Sequence, residues 1–201
     1  MVAHGTKSRE YREALRMFDE VHRGDPRKLT VQGEEVPWSL LYHLRLHHWV
    51  ERLADPASES LLLAARCQHI RRWKIPRSDY PMDRSGYLRW RRTLLRFHAE
   101  QAREILERAG YEKETIRRVQ ELVQKLRLKL DPEVQLFEDA ICLVFLENEF
   151  VDFLGKHEEE KTIEVLQKTW KKMSSQGHRA ALELVETLPP DAREVVGKAL
   201  G

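Results

Sequence analysis

Apolar residues recur at helical spacing along nearly the whole chain. Tyr11, Ala14, Leu15, Phe18 and Val21 line one side of a helix that starts near Ser8 and is ended by Gly24-Asp25-Pro26. Between Leu29 and Val36 two short β-branched arms flank a Gln-Gly-Glu centre, which makes at most a small β-ribbon near residues 29–36 and no sheet. Pro37 suits the first turn of a second helix running to about Ala54, and Pro56-Ala57-Ser58 breaks the chain and caps a third, about Glu59 to Trp73. Residues 74–86 hold two prolines and a glycine and read as a loop. Further helices are expected from Tyr87 to Ala109, stopped by Gly110, and from Lys113 to Leu130, stopped by Asp131-Pro132. The most apolar segment, Glu133 to Leu154, predicts a central buried helix, followed by helices over 157–173, over 177–188 and after Pro189-Pro190. No repeat, low-complexity stretch or linker interrupts this pattern. It predicts one all-α domain over residues 1–201, with a core at about 37–155 and the helices of 157–200 packed on it.

Length and cysteine usage narrow the class. A chain of 201 residues buries roughly 70% of its unfolded surface and needs no staples. Cys67 and Cys142 sit in apolar helical patterns and read as reduced core residues. The N-terminus lacks an apolar leader segment and no long hydrophobic run follows, so a cytoplasmic chain without membrane contact is expected. The overall charge is +2, but its distribution is uneven. Nine basic residues between His69 and His98 (Arg71, Arg72, Lys74, Arg77, Arg84, Arg89, Arg91, Arg92, Arg96) face two acids, Asp79 and Asp83. That stretch is +7 and the remainder is −5, which points to a local anionic partner.

Three titratable residues fall on apolar stripes. His69 follows Ala65 by one helical turn, His98 lies between Leu94 and Ala102, and Asp139 lies between Leu136 and Leu143 on the most apolar helix. A carboxylate in such surroundings costs several kcal/mol unless it is paired or bound to a cation. His69, His98 and Asp139 therefore suit either one mononuclear metal site or a structural His-Asp network. His43, His47 and His48 are further donors. His48, which shares a face with Leu41 and Leu44, is the preferred fourth ligand.

The string Ala64-Ala-Arg-Cys-Gln-His-Ile-Arg71 is similar to the Ala-Ala-Leu-Leu-His-Asp-Ile-Gly of HD-domain proteins. Phe97 to Tyr111 resembles the HD helix that begins with histidine and ends in Gly-Tyr. Val119 to Lys125 parallels the next HD helix, and Glu138-Asp-Ala-Ile-Cys-Leu143 resembles the closing Asp-Ala-Asp-x-Leu segment. The resemblance implies an HD-like helical bundle with His98 and Asp139 as metal ligands and His69 at a third ligand position. It also shows departures: Gln68 and His69 replace the defining His-Asp dyad, and Lys125 stands where a histidine is common. The longer string Gln68 to Met82, with Gly86-Tyr-Leu-Arg-Trp-Arg91, resembles an uncharacterised domain-of-unknown-function family of bacteria and fungi. Some fungal members carry a glutamyl-tRNA synthetase label, which no synthetase motif in this chain matches.

The basic segment interleaves Trp73, Tyr80, Tyr87, Trp90 and Phe97 with its arginines, a combination that grips phosphate and stacks on bases. The expected activity is a divergent HD-like phosphohydrolase with one divalent ion (Zn, Mn or Fe) on His69, His98, Asp139 and His48. Arg71, Arg72 and Lys125 would neutralise charge in the transition state, and Gln68, Trp73, Arg77, Tyr80, Tyr87 and Trp90 would hold a nucleotide or other phosphate ester. The competing expectation is a non-catalytic HD-like module that binds RNA, a nucleotide or an acidic partner through residues 69–98. A structural helical protein with neither ligand is the third.

Overall fold

The computed structural model describes residues 8–201 and is almost wholly helical. The residues at 1–7, part of the stretch read for a leader, lie outside the described residues. Among the described residues no helix is long and apolar enough to cross a membrane.

Contacts gather the chain into two compact units, and neither is a continuous segment. The first comprises the described part of Met1–His47 together with Pro56–Leu126; the second comprises His48–Asp55 and Arg127–Gly201. This interleaving explains why no linker is visible in the sequence.

In the first unit, α1 (Arg9–Arg23) begins where Ser8 Oγ accepts the Tyr11 N–H at 3.0 Å. It buries Tyr11, Ala14, Met17, Phe18 and His22. The expected ribbon forms as antiparallel β1 (Lys28–Val31) and β2 (Glu34–Pro37), turning through Gln32 (φ 51°) and Gly33 (φ 87°). Pro37 thus ends β2 rather than opening the next helix. α2 (Trp38–Leu53) follows, and its last residues, from His48, belong to the second unit. α3 (Glu59–Ala65) is shorter than expected: its C-terminus falls at Arg66, and residues 66–71 run through successive turns into a 3-10 turn at Arg72–Lys74. Arg71, in the left-handed region at φ 53°, forces this change of direction. α4 (Arg84–Ala109) is stopped by left-handed Gly110 (φ 95°). α5 (Lys113–Val123) also stops early. After Val123 the apolar period changes from helical to alternating, with leucines at 126, 128 and 130, and no helix can bury such a row on one face. The backbone there carries left-handed Lys125, Arg127 and Lys129. α1 packs on α3 and α4, and α5 on the same two helices, around Phe18, Leu63, Leu106 and Leu122. Each fully buried side chain of that size contributes roughly 1.5–3 kcal/mol.

The second unit is built on α6 (Pro132–Asn148), with α7 (Phe150–Leu154), α8 (Glu159–Lys172), α9 (Ser175–Val185) and α10 (Pro190–Leu200). The single helix expected from Glu133 to Leu154 breaks at Glu149. α6 packs on α9, α7 and α8, and α10 packs on α8. The end of α2 enters this core through Trp49, whose indole N–H donates to Glu147 Oε2 at 2.8 Å.

Candidate functional site

Buried histidines of the first unit form one connected group, and their hydrogen bonds fix most of the tautomers. A carbonyl only accepts, so His22 Nε2–H donates to Arg66 O at 2.8 Å, leaving Nδ1 to accept from the Ser39 hydroxyl at 2.8 Å. His43 Nδ1–H donates to Ser39 O at 2.6 Å, and its Nε2 accepts the backbone N–H of His69 at 3.0 Å. The His22 and His43 rings stack with centroids 3.9 Å apart. This polar column sets the path of the chain at residues 66–69, since it grips Arg66 through its carbonyl and His69 through its amide.

His69 and His98 stand at the end of the column, with ring centroids 5.8 Å apart. His98 Nδ1–H donates to Ile70 O at 2.8 Å, so Nε2 carries the lone pair, and that atom is buried without a hydrogen-bond partner. His69 stacks on Tyr42 at 4.9 Å, and its Nδ1 is likewise buried and unpartnered. Burial, and then the charge of Arg72, hold His69 well below the usual imidazole range, with His98, His43 and Lys125 adding to the effect. Burial pushes His98 down to about 4, against the Ile70 hydrogen bond and with Arg72 assisting. Both rings are therefore neutral at pH 7.

Arg72 faces this pair. Its guanidinium lies 4.8 Å over the Trp90 ring, and burial lowers its pKa while Tyr42 and Tyr87 oppose that and Arg27 and Arg91 add to it. It makes no ion pair among the described residues. Trp90 is fixed by its own N–H, which donates to Ile75 O at 2.9 Å, and Arg77 braces the loop by donating to Tyr80 O at 2.9 Å and Asp83 O at 3.2 Å. Tyr87 lies 6.0 Å from Trp90. Gln68 is buried with its Oε1 unpartnered, Trp73 is half-buried, and Lys125 lies at the end of α5 in the same unit.

Arg71 and Arg72, adjacent in sequence, diverge. Left-handed Arg71 donates to Gln101 and lines an open cleft of about 300 Å³ with Arg16 and Arg108, away from Trp90. Asp139 belongs to the second unit, where its carboxylate is filled. Oδ1 accepts from Ser174 N–H at 2.8 Å and Gln135 Nε2 at 3.0 Å, and Oδ2 accepts from the Ser174 hydroxyl. Ser174 Oγ in turn takes the Gly177 N–H at 3.2 Å, so Asp139 braces the N-terminus of α9. His48 is exposed on the α2 segment of the second unit; the inward histidine of α2 is His43. The face chosen for His48 is the outer one, as Leu44 at 43% exposure shows.

His98 Nε2 has the form of a metal ligand, a neutral nitrogen whose partner N–H is anchored on a carbonyl. The full set is another matter. Among the described residues no group of three His, Cys, Asp or Glu side chains is gathered to hold an ion, so His69 and His98 fall one protein ligand short of the usual catalytic set.

His22 and Ser39 are the members that sequence reasoning missed, and His43, offered there as a further donor, ranks behind the exposed His48. A signal existed: His22 lies four residues after Phe18 and eight after Ala14 on the buried stripe of α1.

Among curated proteins and among solved structures nothing matches this chain. One family model does, over residues 12–196, and it spans nearly every element described above. The chain accordingly belongs to the family described as "Domain of unknown function (DUF4202)".

Proposed function

We propose that the first unit binds a phosphate-bearing ligand, a nucleotide or an RNA end, where Arg72, His69, His98 and Lys125 gather. The observation that carries this reading is Arg72, a guanidinium drawn out of solvent over Trp90 with no counter-ion among the described residues. A guanidinium partly withdrawn from water without a counter-ion is left under-solvated, and an anionic oxygen relieves this through two parallel N–H bonds. The neutral imidazoles add a hydrogen-bond donor or acceptor without a competing negative charge, and Trp90 and Tyr87 supply ring faces. Calorimetric titration with nucleoside monophosphates, nucleoside diphosphates and a 5′-phosphorylated dinucleotide tests it. Binding is expected with at least one of these, weakened about tenfold or more by Arg72→Gln with helicity unchanged. Absence of heat with all three probes, or Arg72→Gln binding as tightly as the parent, ends the proposal.

A second reading, turnover of the bound ester by a divergent HD-like phosphohydrolase, is favoured by one observation: the buried lone pair of His98 Nε2, able to take a proton from water. The HD-like ligand set lacks a third protein donor here, so no step is assigned to a metal. Phosphate release from the same panel, with and without added Zn, Mn or Fe(II), is expected to fall about a hundredfold in His98→Asn. Release unchanged in that variant removes the reading and leaves the binding proposal standing.

A further inference from the structure

The N-terminal half of α4 buries Gly86, Trp90, Leu94 and His98. Its outer side carries Arg84, Arg89, Arg92 and Arg96, all exposed, with Arg91 beside them 5.8 Å from the Tyr87 ring. None of these five makes an ion pair among the described residues.

The other half of the same helix serves as an internal comparison. There Arg103 is paired to both Glu100 and Glu107, the usual way a solvated helix surface neutralises itself. Glu100, four residues after Arg96 and within reach by spacing, is turned to Arg103 instead. Nor does the helix terminus favour cations: α4 has no acid in its first turn and carries Arg84 there, against the positive end of its dipole. Asp83, next to Arg84 in the chain, is used to cap the helix, accepting the Gly86 N–H at 2.6 Å. A surface that breaks the local charge rules with no compensation inside the fold is one whose compensation comes from outside.

We propose that this face is a docking surface for single-stranded nucleic acid, gripped through its phosphates. Arg84, Arg92 and Arg96 share one exposed row with Leu88, and at 1.5 Å per residue the row runs about 18 Å. A row of that length can meet several successive phosphates of one strand. Arginine rather than lysine at every position suits paired N–H bonds to phosphate oxygens. Tyr87, at 42% exposure, leaves a ring for a base to stack on at the edge of the row. Its arginines lie on the side of α4 turned away from His98 and Trp90, and Tyr87, 6.0 Å from Trp90, is the one residue it shares with the phosphate-ester site proposed above.

The test is fluorescence anisotropy of the full chain with a labelled 12-nucleotide RNA of mixed sequence, from about 50 to 200 mM salt. Four phosphate contacts predict that the logarithm of the association constant falls against the logarithm of salt concentration with a slope of about −3. The quadruple variant Arg84→Gln, Arg89→Gln, Arg92→Gln, Arg96→Gln is expected to lose about tenfold or more in affinity and most of that slope, with its circular dichroism unchanged. Arg103→Gln with Arg108→Gln is expected to retain strand binding. No binding at the lowest salt overturns the proposal, as does equal affinity of the quadruple variant or tighter binding to anionic lipid vesicles or a poly-glutamate peptide than to RNA. Should the quadruple variant lose its helicity, Arg92→Gln alone is read for a shallower slope, and an unchanged slope overturns the proposal.

Discussion

Asp139 illustrates what a single residue discloses. Its place on the apolar stripe of α6 and the cost of a buried carboxylate correctly demand partners, but they do not say which. Three donors from Ser174 and Gln135 supply the answer, and Gly177 makes room: a Cβ there would come within 2.6 Å of Asp139 Cγ. That contact is invisible in sequence because 35 residues separate Asp139 from Ser174. Gly177→Ala is expected to destabilise the protein by about 1–3 kcal/mol in chemical denaturation, and Asp139→Asn by about 1–3 kcal/mol. The two are coupled. In an Asp139→Ala background the contacts with Cγ and Oδ1 are gone and only the 3.0 Å contact with Cβ remains, so Gly177→Ala there is expected to cost less than in the parent; strict additivity would contradict the packing described.

At the scale of elements, helix existence is legible and helix length is less so. The order of helices and the ribbon follow from periodicity, capping serines and Gly110. The early ends of α3 and α5 do not: α5 stops just before left-handed Lys125, where propensity offers no warning, and α3 gives out where His22 and His43 take up the Arg66 carbonyl and the His69 amide. His69 shows the consequence. Helical spacing turned it inward, yet it lies in a turn beyond α3, and what places it is the bond from its amide to His43. The ribbon offers a clean test of backbone strain. Gln32 and Gly33 both have positive φ, the requirement of a type I′ turn, and asparagine tolerates that region better than glutamine. Gln32→Asn is expected to raise stability by about 0.5 kcal/mol in denaturant titration, whereas a loss would mean that the side chain of Gln32 itself is needed.

For the whole molecule, the histidine column ties folding to acidity. Burial pushes both His22 and His98 down to about 4, and it holds His43 and His69 well below the usual imidazole range too. The unfolded chain therefore binds more protons than the folded one between about pH 6.5 and pH 4. Stability is fully present above that window and falls as pH drops through it, by on the order of 3 kcal/mol for each of His22 and His98. All four belong to the first unit, so the denaturation midpoint reported by Trp90 is expected to fall between pH 6.5 and 4; a midpoint flat across that range would contradict neutral buried rings. Of these four, the apolar pattern singles out His69 and His98 and offers His43 as a further donor, while His22, on the buried stripe of α1, is the one it passes over.

The sharing of α2 between the two units has a consequence for how the protein is made. Trp49 leaves the ribosome 98 residues ahead of Glu147, the acceptor of its indole N–H. At about 5–20 residues per second, the closing turns of α2 wait roughly 5–20 s for the segment that covers them. A side chain only 2% exposed in the finished fold spends that interval uncovered, and the nascent chain must survive it before the second unit is complete.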